Sequence, residues 1–257
     1  MEDRLDNLLF ELIKDEAFGF STPSSSSPCY RVLNVSQLRS CVSLTDNETI
    51  TVEPDLHVTI KHHGVQVLRK LGIRLTGIRS LTMAIGSDVS EDTFQLLPSS
   101  YHYLHLPSCM FSGCSKISAD YSLTVDRSNI EDLSMLDVNQ LELLYLTGNT
   151  TLQDLRGVPK VITNKLIITE CISLKTFEFL PEICPRVEMY NVGKFCEVDK
   201  FLNIFTIKGL ENIQSLQDGG PAEILEKVTK EHTDANARIY SAAQELIEQG
   251  YESYAAV

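Results

Sequence analysis

The sequence lacks several features that would assign it to a common class of protein. It contains no run of about 18 apolar residues, which a membrane-spanning helix would need. Its formal net charge of −13 leaves no basic surplus for nucleic acid or an anionic membrane, because both attract positive surfaces. The acidic start M-E-D-R-L-D-N-L-L-F has no basic segment followed by an apolar one, as a secretory signal would. We therefore expect a cytoplasmic or nuclear protein without a nucleic-acid or membrane partner.

Cysteine pairs and catalytic motifs are also missing. The 7 Cys are an odd number with no short, regular spacing, so reduced and buried thiols are expected. The sequence has no Gly-rich phosphate loop, no H-E-x-x-H and no G-x-S-x-G motif. A Cys–His nucleophile would have to be assembled from distant residues such as Cys196 and His232. These absences predict a protein that is not an enzyme and that needs no cofactor.

What the sequence does contain is a recurring apolar spacing. Leu141 to Leu155 reads L-E-L-L-Y-L-T-G-N-T-T-L-Q-D-L, in which an L-x-x-L-x-L run ends at Leu146. We call the last apolar residue of such a run its anchor. The full spacing recurs at Ile78–Leu81–Met83, Tyr101–Leu104–Leu106, Cys184–Val187–Met189 and Leu202–Phe205–Ile207, and its last two positions recur at Leu123–Val125 and Leu166–Ile168. Successive anchors lie 18 to 23 residues apart, which predicts a repeat.

The residues after each anchor repeat as well. Three residues beyond the anchor stand Cys109, Ser128, Asn149 and Cys171, although Gly86, Val192 and Leu210 break this rule in other units. Six and nine residues beyond it stand Leu152 and Leu155, Leu174 and Phe177, Phe195 and Val198, and Ile213 and Leu216.

This pattern resembles the leucine-rich repeat family, whose units read L-x-x-L-x-L-x-x-N/C. The resemblance covers residues 78–216 and extends to 30–216 if degenerate units are counted. It implies an α/β fold, namely a solenoid of about seven to nine irregular repeats with a short-stranded parallel β-sheet. The resemblance also implies a helical cap at both ends, because the core of a terminal repeat would otherwise be exposed.

Composition divides the chain into five segments. Residues 1–18 form an amphipathic helix with Leu5, Leu8, Leu9, Leu12 and Ile13 on one face. Residues 19–29 form a Ser/Pro linker, and residues 30–77 hold degenerate opening repeats or an N-terminal cap. The leucine-rich-repeat body occupies 78–216, and a C-terminal helical cap and tail occupy 217–257.

The segment 30–77 has two interpretations. Leu33 and Val35, and later Val58 and Ile60, fit the last two apolar positions of the repeat. A competing interpretation makes 36–44 a helix, and 66–71 has helical spacing in either case.

The recurring apolar residues of successive repeats form a column across the predicted sheet, which we call the ladder. Side chains alternate along a strand, so the residues between the ladder positions face the other side of the sheet. Members of the resembled family mostly bind other macromolecules on this side, which is concave. Here it would carry an aromatic and aliphatic strip, Tyr103, His105, Leu143, Tyr145 and Ile167, beside a charged strip, Lys165, Arg186, Glu188 and Tyr190. Tyr and Arg are enriched at binding hot spots. We therefore expect a non-catalytic protein–protein interaction module that binds a protein partner here, unless a terminal segment covers this face.

Two other functions fit parts of the sequence. A substrate-recognition subunit of a ubiquitin ligase would use the N-terminal helix to dock an adaptor, although 1–18 lacks the L-P-x-E opening of F-box segments. A metal-binding protein would use a zinc quartet spaced H-x2-H-x3-C-x4-C, formed by His102, His105, Cys109 and Cys114. The repeat frame argues against this quartet, because Cys109 should point inward and His105 outward.

Overall fold

The chain is a mixed α/β protein with a large, mostly parallel β-sheet. The computed structural model describes residues 2–22, 31–46, 48–83, 86, 88–90, 92–111, 116–192, 198–215 and 220–256. The chain divides into two compact units, Met1–Ala119 (unit 1) and Asp120–Val257 (unit 2). No helix among the described residues has the length and apolar character that crossing a lipid bilayer requires. Four residues used in the sequence predictions lie outside the described part of the chain: Cys114, Phe195, Cys196 and Leu216.

The described elements of unit 1 are, in chain order, α1 (Glu2–Ile13), β1 (Phe18–Thr22), β2 (Arg31–Val32), α2 (Val35–Leu38), β3 (Val42–Leu44), β4 (Thr49–Val52), β5 (His57–Ile60), α3 (Gly64–Leu71), β6 (Arg74–Thr76), β7 (Ser80–Met83), β8 (Asp88–Val89), α4 (Thr93–Leu96), β9 (Ser100–Pro107) and β10 (Met110–Phe111). Short 3-10 helices follow α1 and α2, at Lys14–Glu16 and Arg39–Cys41.

The main sheet of unit 1 has the order β2–β1–β5–β7–β9. β5, β7 and β9 are parallel neighbours, whereas β1 and β2 add to β5 in antiparallel fashion. Val58, Leu81 and Leu104 lie side by side in register and are buried. The expected strand at Val58 and Ile60 is therefore present and parallel. Two smaller sheets, β3–β4–β6 and β8–β10, complete the described strands of unit 1.

The expected repeat position at Leu33 and Val35 is wrong. β2 ends at Val32, and α2 begins at Val35. Asn34 starts this helix with a capping box, since its side chain accepts from the backbone N–H of Gln37 at 3.0 Å and its own N–H donates to the Gln37 side chain at 3.2 Å. Residues 36–44 are helical only as far as Cys41, and 42–44 belong to β3. The helix expected over 66–71 is present within α3.

Helix α1 buries its apolar side within unit 1. Leu9 and Leu12 are fully buried, and Asp6 forms an ion pair with Arg39 at 2.8 Å. The first residues of the predicted Ser/Pro linker are not linker, because 19–22 form most of β1 and Phe20 is buried. Aromatic side chains at Phe18 and Phe20 favour a strand here, and the Ser-rich composition that follows concealed it.

The described residues of unit 2 form five strands, followed by two α-helices. They are β11 (Ser118–Asp126, which begins at the end of unit 1), β12 (Gln140–Thr147), β13 (Val161–Thr169), β14 (Arg186–Tyr190), β15 (Asn212–Ser215), α5 (Pro221–Glu231) and α6 (Ala235–Glu248). The strands neighbour one another in chain order, and every pair is parallel. Short 3-10 helices lie at Phe201–Thr206 and Glu252–Ala255.

The apolar ladder of unit 2 is in register across the sheet. Leu123, Leu144, Leu166, Val187 and Ile213 are paired from strand to strand and buried. The segments that lead from the end of one strand back to the start of the next, which we call return segments, add further buried side chains, at Leu152, Leu155, Leu174 and Phe177. Burial of each such side chain stabilises the fold by about 1.5–3 kcal/mol, so the ladder is the core of this unit.

The predicted turn residues form hydrogen bonds that join each repeat to a preceding one. Asn149 is fully buried; its Nδ2 donates to the Val125 carbonyl at 2.8 Å, and its Oδ1 accepts from the Ser128 N–H at 2.9 Å. The thiol of Cys171 donates in the same way to the Leu146 carbonyl at 3.5 Å. Cys109 in unit 1 does so toward the Met83 carbonyl at 3.8 Å. In all three cases the acceptor is the anchor of an earlier strand, so Cys replaces Asn as the donor at this position.

A second turn feature was not expected from the sequence. The residue two positions beyond the anchor has a positive φ in five repeats, at Ser108 (50°), Arg127 (48°), Gly148 (63°), Glu170 (53°) and Asn191 (49°). In three of these repeats its backbone N–H donates to the neighbouring strand, for example from Glu170 to the Tyr190 carbonyl at 2.7 Å. Only one of the five residues is glycine, so the left-handed turn has little sequence signal.

The last repeat was placed wrongly. Leu202, Phe205 and Ile207 do not form a strand, since Phe201–Thr206 is a 3-10 helix; the strand that pairs with β14 is β15, around Ile213. The error has a physical cause. Phe201, Leu202, Ile204 and Phe205 are buried in a return segment, and their spacing imitates that of a strand unit.

The C-terminal helices were expected, but two of their details were not. Arg238 is buried and donates to three carbonyls, those of His232 (2.7 Å), Leu210 (2.9 Å) and Thr229 (3.4 Å). The tail is also held in place, because the ring of Tyr254 packs edge-on against Phe201 with centroids 5.1 Å apart. The hydrogen bonds from Arg238 to the carbonyls of Thr229 and His232 hold α6 against the end of α5.

Candidate functional site

The candidate site residues of unit 2 lie on one side of its sheet, opposite the ladder. We call this side the open face. Strand register arranges it in three rows, which are Ser122–Leu143–Lys165–Arg186–Asn212, Thr124–Tyr145–Ile167–Glu188–Gln214, and Asp126–Thr147–Thr169–Tyr190. The sheet therefore brings together seven of the predicted residues: Leu143, Tyr145, Lys165, Ile167, Arg186, Glu188 and Tyr190.

The centre of the open face is apolar. Tyr145 and Ile167 are directly paired, and Leu143 lies two residues before Tyr145 on the same strand. All three side chains are half-buried, whereas the ladder residues beside them are fully buried. The Tyr145 hydroxyl makes no hydrogen bond to any residue that the structure describes. An aromatic ring with an unused hydroxyl offers both apolar area and a polar contact to a partner.

The charged strip is partly neutralised within the face. Lys165 Nζ lies 2.6 Å from Glu188 Oε1, and these side chains are 25% and 18% exposed. The pair stands beside Ile167 and fixes two long side chains in one geometry. Because opposite charges cancel in this pair, the pair itself favours a partner of neither charge. The predicted charged strip therefore contains two charges that pair with each other.

A chain of polar side chains crosses four strands at the start of the open face. Tyr121 and Asn164 both donate to Glu142 Oε1 at 3.2 Å, and the Arg186 guanidinium donates to the Asn164 side-chain oxygen. The sequence analysis missed Tyr121, Glu142 and Asn164. A signal was present, since strict alternation cannot bury both Leu141 and Leu144; a bulge between Leu141 and Leu143 resolves the conflict.

Tyr103 and His105 belong to β9 of unit 1. Tyr103 is 45% exposed, and its ring meets that of His102 edge-on with centroids 4.6 Å apart. His105 is half-buried and lies in the same row as Thr82, while Tyr103 pairs with Ser80. Ser80 in turn is 2.8 Å from Nδ1 of His57. Burial, and then the charge of His105, lower the pKa of His57.

The three described residues of the predicted zinc quartet, His102, His105 and Cys109, do not form a metal site. Cys109 is buried in the turn, where its thiol contacts the carbonyls of Met83 and Pro107 at 3.8 Å. Cys114 lies outside the described residues. In the part of the chain that the structure describes, no group of three or more His, Cys, Asp or Glu could hold a metal ion. The quartet is therefore wrong for its described members, because Cys109 points into the core.

The N-terminal helix buries part of the apolar stripe that an adaptor would bind. Leu9 and Leu12 are fully buried in unit 1, and Phe10 is the large apolar side chain that α1 exposes. Two of the five residues of the predicted stripe are therefore buried within the protein, whereas Leu5, Leu8 and Ile13 are half-buried.

Comparisons with known proteins give no match: neither a protein-family model, nor a curated protein, nor a solved structure is similar to this chain.

Proposed function

We propose that this chain is a leucine-rich-repeat-like solenoid, non-catalytic, that binds a protein partner on the open face of unit 2. The observation that carries the proposal is the central trio of Leu143, Tyr145 and Ile167. These side chains are half-buried on a sheet whose other side buries the whole ladder. Apolar residues grouped on one exposed side of a rigid sheet suit recognition better than catalysis.

The repeat architecture is supported by contacts between neighbouring repeats. Parallel strands follow one another in chain order, and the Asn149 amide and Cys171 thiol each reach the anchor carbonyl of the preceding strand. A unit of this kind cannot bury its apolar side alone, so stacking is what stabilises it. α5 contacts β15 and buries Ile224, Leu225 and Val228, which supports a helical cap at that end.

The open face suits a partner that places an apolar side chain at the centre of the interface. A partner side chain placed on Tyr145 and Ile167 would be desolvated at the centre, where truncations cost most. The Lys165–Glu188 pair and Arg186 lie beside this centre; the pair carries no net charge, so Arg186 alone adds one positive charge to the rim. Electrostatic steering by this face is therefore expected to be weak.

The test compares capture of partners from a native lysate by the wild-type chain and by Tyr145→Ala. The ring pairs across strands with Ile167, so its loss should lower the free energy of unfolding by less than about 1 kcal/mol. Loss of a central tyrosine from an interface should cost about 2 kcal/mol of binding, or about 30-fold in affinity. The partner identified with wild type should then be retitrated against both proteins.

Tyr251→Ala is the matched control, because it also removes one half-buried tyrosine but lies after α6, away from the sheet. A partner that Tyr145→Ala loses and Tyr251→Ala keeps supports the open face. Equal capture by wild type and Tyr145→Ala, with both folded by circular dichroism, would refute the proposal.

A further inference from the structure

Helix α6 exposes two large apolar side chains on one side. Tyr240 is 75% exposed and Ile247 is 52% exposed. They stand two turns apart, about 10 Å along the helix axis. The other side of α6 is occupied, since Ala242 and Leu246 are fully buried and Arg238 binds three carbonyls. The packing of unit 2 therefore does not account for Tyr240 and Ile247.

The role of a cap does not account for them either. A helix that only closes a core needs a polar outer side, because that side faces water. α5 meets this requirement, with Glu223, Lys227 and Lys230 exposed. α6 has a different outer side, on which its two most exposed apolar residues are aligned. An aligned pair of this kind is the pattern that one helix offers to another.

The charges along α6 indicate the chemistry of the occupant. Its one basic residue, Arg238, is buried. Glu248 on α6 and Glu252 directly after it are exposed carboxylates, and Glu245 is paired with Lys227 at 2.7 Å. A second copy of α6 would bring carboxylates against carboxylates, whereas a basic helix would bring opposite charges together.

We propose that the outer side of α6, at Tyr240 and Ile247, binds an amphipathic helix of another protein whose apolar residues are flanked by Lys or Arg. The two side chains act as anchors two turns apart, and the partner's apolar stripe covers both. The carboxylates of Glu248 and Glu252 then face the partner's basic residues. This surface is separate from the open face of the sheet.

The test uses a labelled synthetic peptide of about 18 residues, with Leu at helical i, i+3, i+4 and i+7 spacing and Lys elsewhere. Its binding to the full chain is followed by fluorescence anisotropy and compared with Tyr240→Gln/Ile247→Gln. Glutamine keeps helix propensity and leaves the net charge unchanged, so general attraction to an acidic protein is held constant. We expect the double variant to bind at least about tenfold more weakly.

Two controls make the outcome decisive. A peptide of scrambled order and equal charge should bind wild type and variant equally weakly, and Tyr145→Ala should bind the stripe peptide like wild type. No binding to wild type, equal binding of stripe and scrambled peptides, or equal binding to wild type and double variant would each overturn the proposal. So would a loss of binding in Tyr145→Ala, or sedimentation showing a wild-type dimer that the double variant abolishes, since a second copy would then be the occupant.

Discussion

The turn around Asn149 gives the sharpest prediction about stability. Asn149→Ala removes a buried amide that satisfies one backbone carbonyl, at Val125, and one backbone N–H, at Ser128. Each buried group left without a partner costs about 1–3 kcal/mol. We therefore expect the free energy of unfolding to fall by about 2 to 6 kcal/mol, and for a chain of this size each kcal/mol lowers the melting temperature by roughly 2 to 4 °C.

A second variant separates the two hydrogen bonds. Asn149→Cys introduces the residue that unit 2 already uses at Cys171, where the thiol donates to the preceding anchor carbonyl at 3.5 Å. This variant should keep a weak donor to Val125 but leave the Ser128 N–H without its acceptor. We expect its loss of stability to be about half that of Asn149→Ala.

The assay is urea unfolding followed by far-UV circular dichroism, because the chain has no Trp to report by fluorescence. Thr150→Ala is the control, since Thr150 is the exposed neighbour and its loss should change stability by no more than about 0.5 kcal/mol. If the free energy of unfolding of Asn149→Ala lies within that same margin of the wild-type value, the amide does not stabilise the contact between repeats and the reasoning fails.

The remaining predictions concern a glycine and a thiol. Gly157→Ala should destabilise unit 2 by about 2 kcal/mol or more, because φ is +89° and a Cβ would lie 2.3 Å from a backbone oxygen. Gly209→Ala, with φ +72° and open space around it, should cost only about 1 kcal/mol in the same urea assay; equal losses would contradict the steric argument. Burial raises the pKa of Cys171 to about 12, so iodoacetamide at pH 8 should label it only after unfolding, whereas the half-buried Cys41 reacts in the folded protein. Mass spectrometry of the labelled peptides would show the order, and early labelling of Cys171 would refute its burial.

The ladder could be predicted from the sequence because its signal is redundant. Leu144 is marked by its spacing to Leu141 and Leu146 and by the recurrence of that spacing in other units. Asn149 is marked by its fixed distance from the anchor. Such residues are inserted into the same environment in every unit, so one physical requirement appears several times in the sequence.

Other elements had no such signal. An apolar run such as Leu202 to Ile207 satisfies the spacing of a strand unit and that of a buried 3-10 turn equally well, and only tertiary packing decides between them. The left-handed turn at Arg127 and Glu170 uses residue types that carry no turn preference. Arg238 reads as a surface residue, because three carbonyls from separate segments become its partners only after folding.

The open face was predictable in its rows but not in its interactions. Alternation along the strands placed Tyr145 beside Ile167 correctly. It did not show that Lys165 and Glu188 neutralise each other, because side-chain pairing depends on rotamers and register together. Nor could it separate the residues of unit 1, Tyr103 and His105, from those of unit 2.

The positive φ that recurs two residues beyond five of the anchors leaves room for engineering. Where a non-glycine residue holds this conformation, it costs about 1–2 kcal/mol that glycine would avoid, less the extra chain entropy that glycine loses on folding. Arg127 packs over Gly148 and would be missed, and Asn191 is a residue type that tolerates the conformation. Glu170, an exposed side chain at φ 53°, is thus a position at which a single glycine should make this protein more resistant to heat.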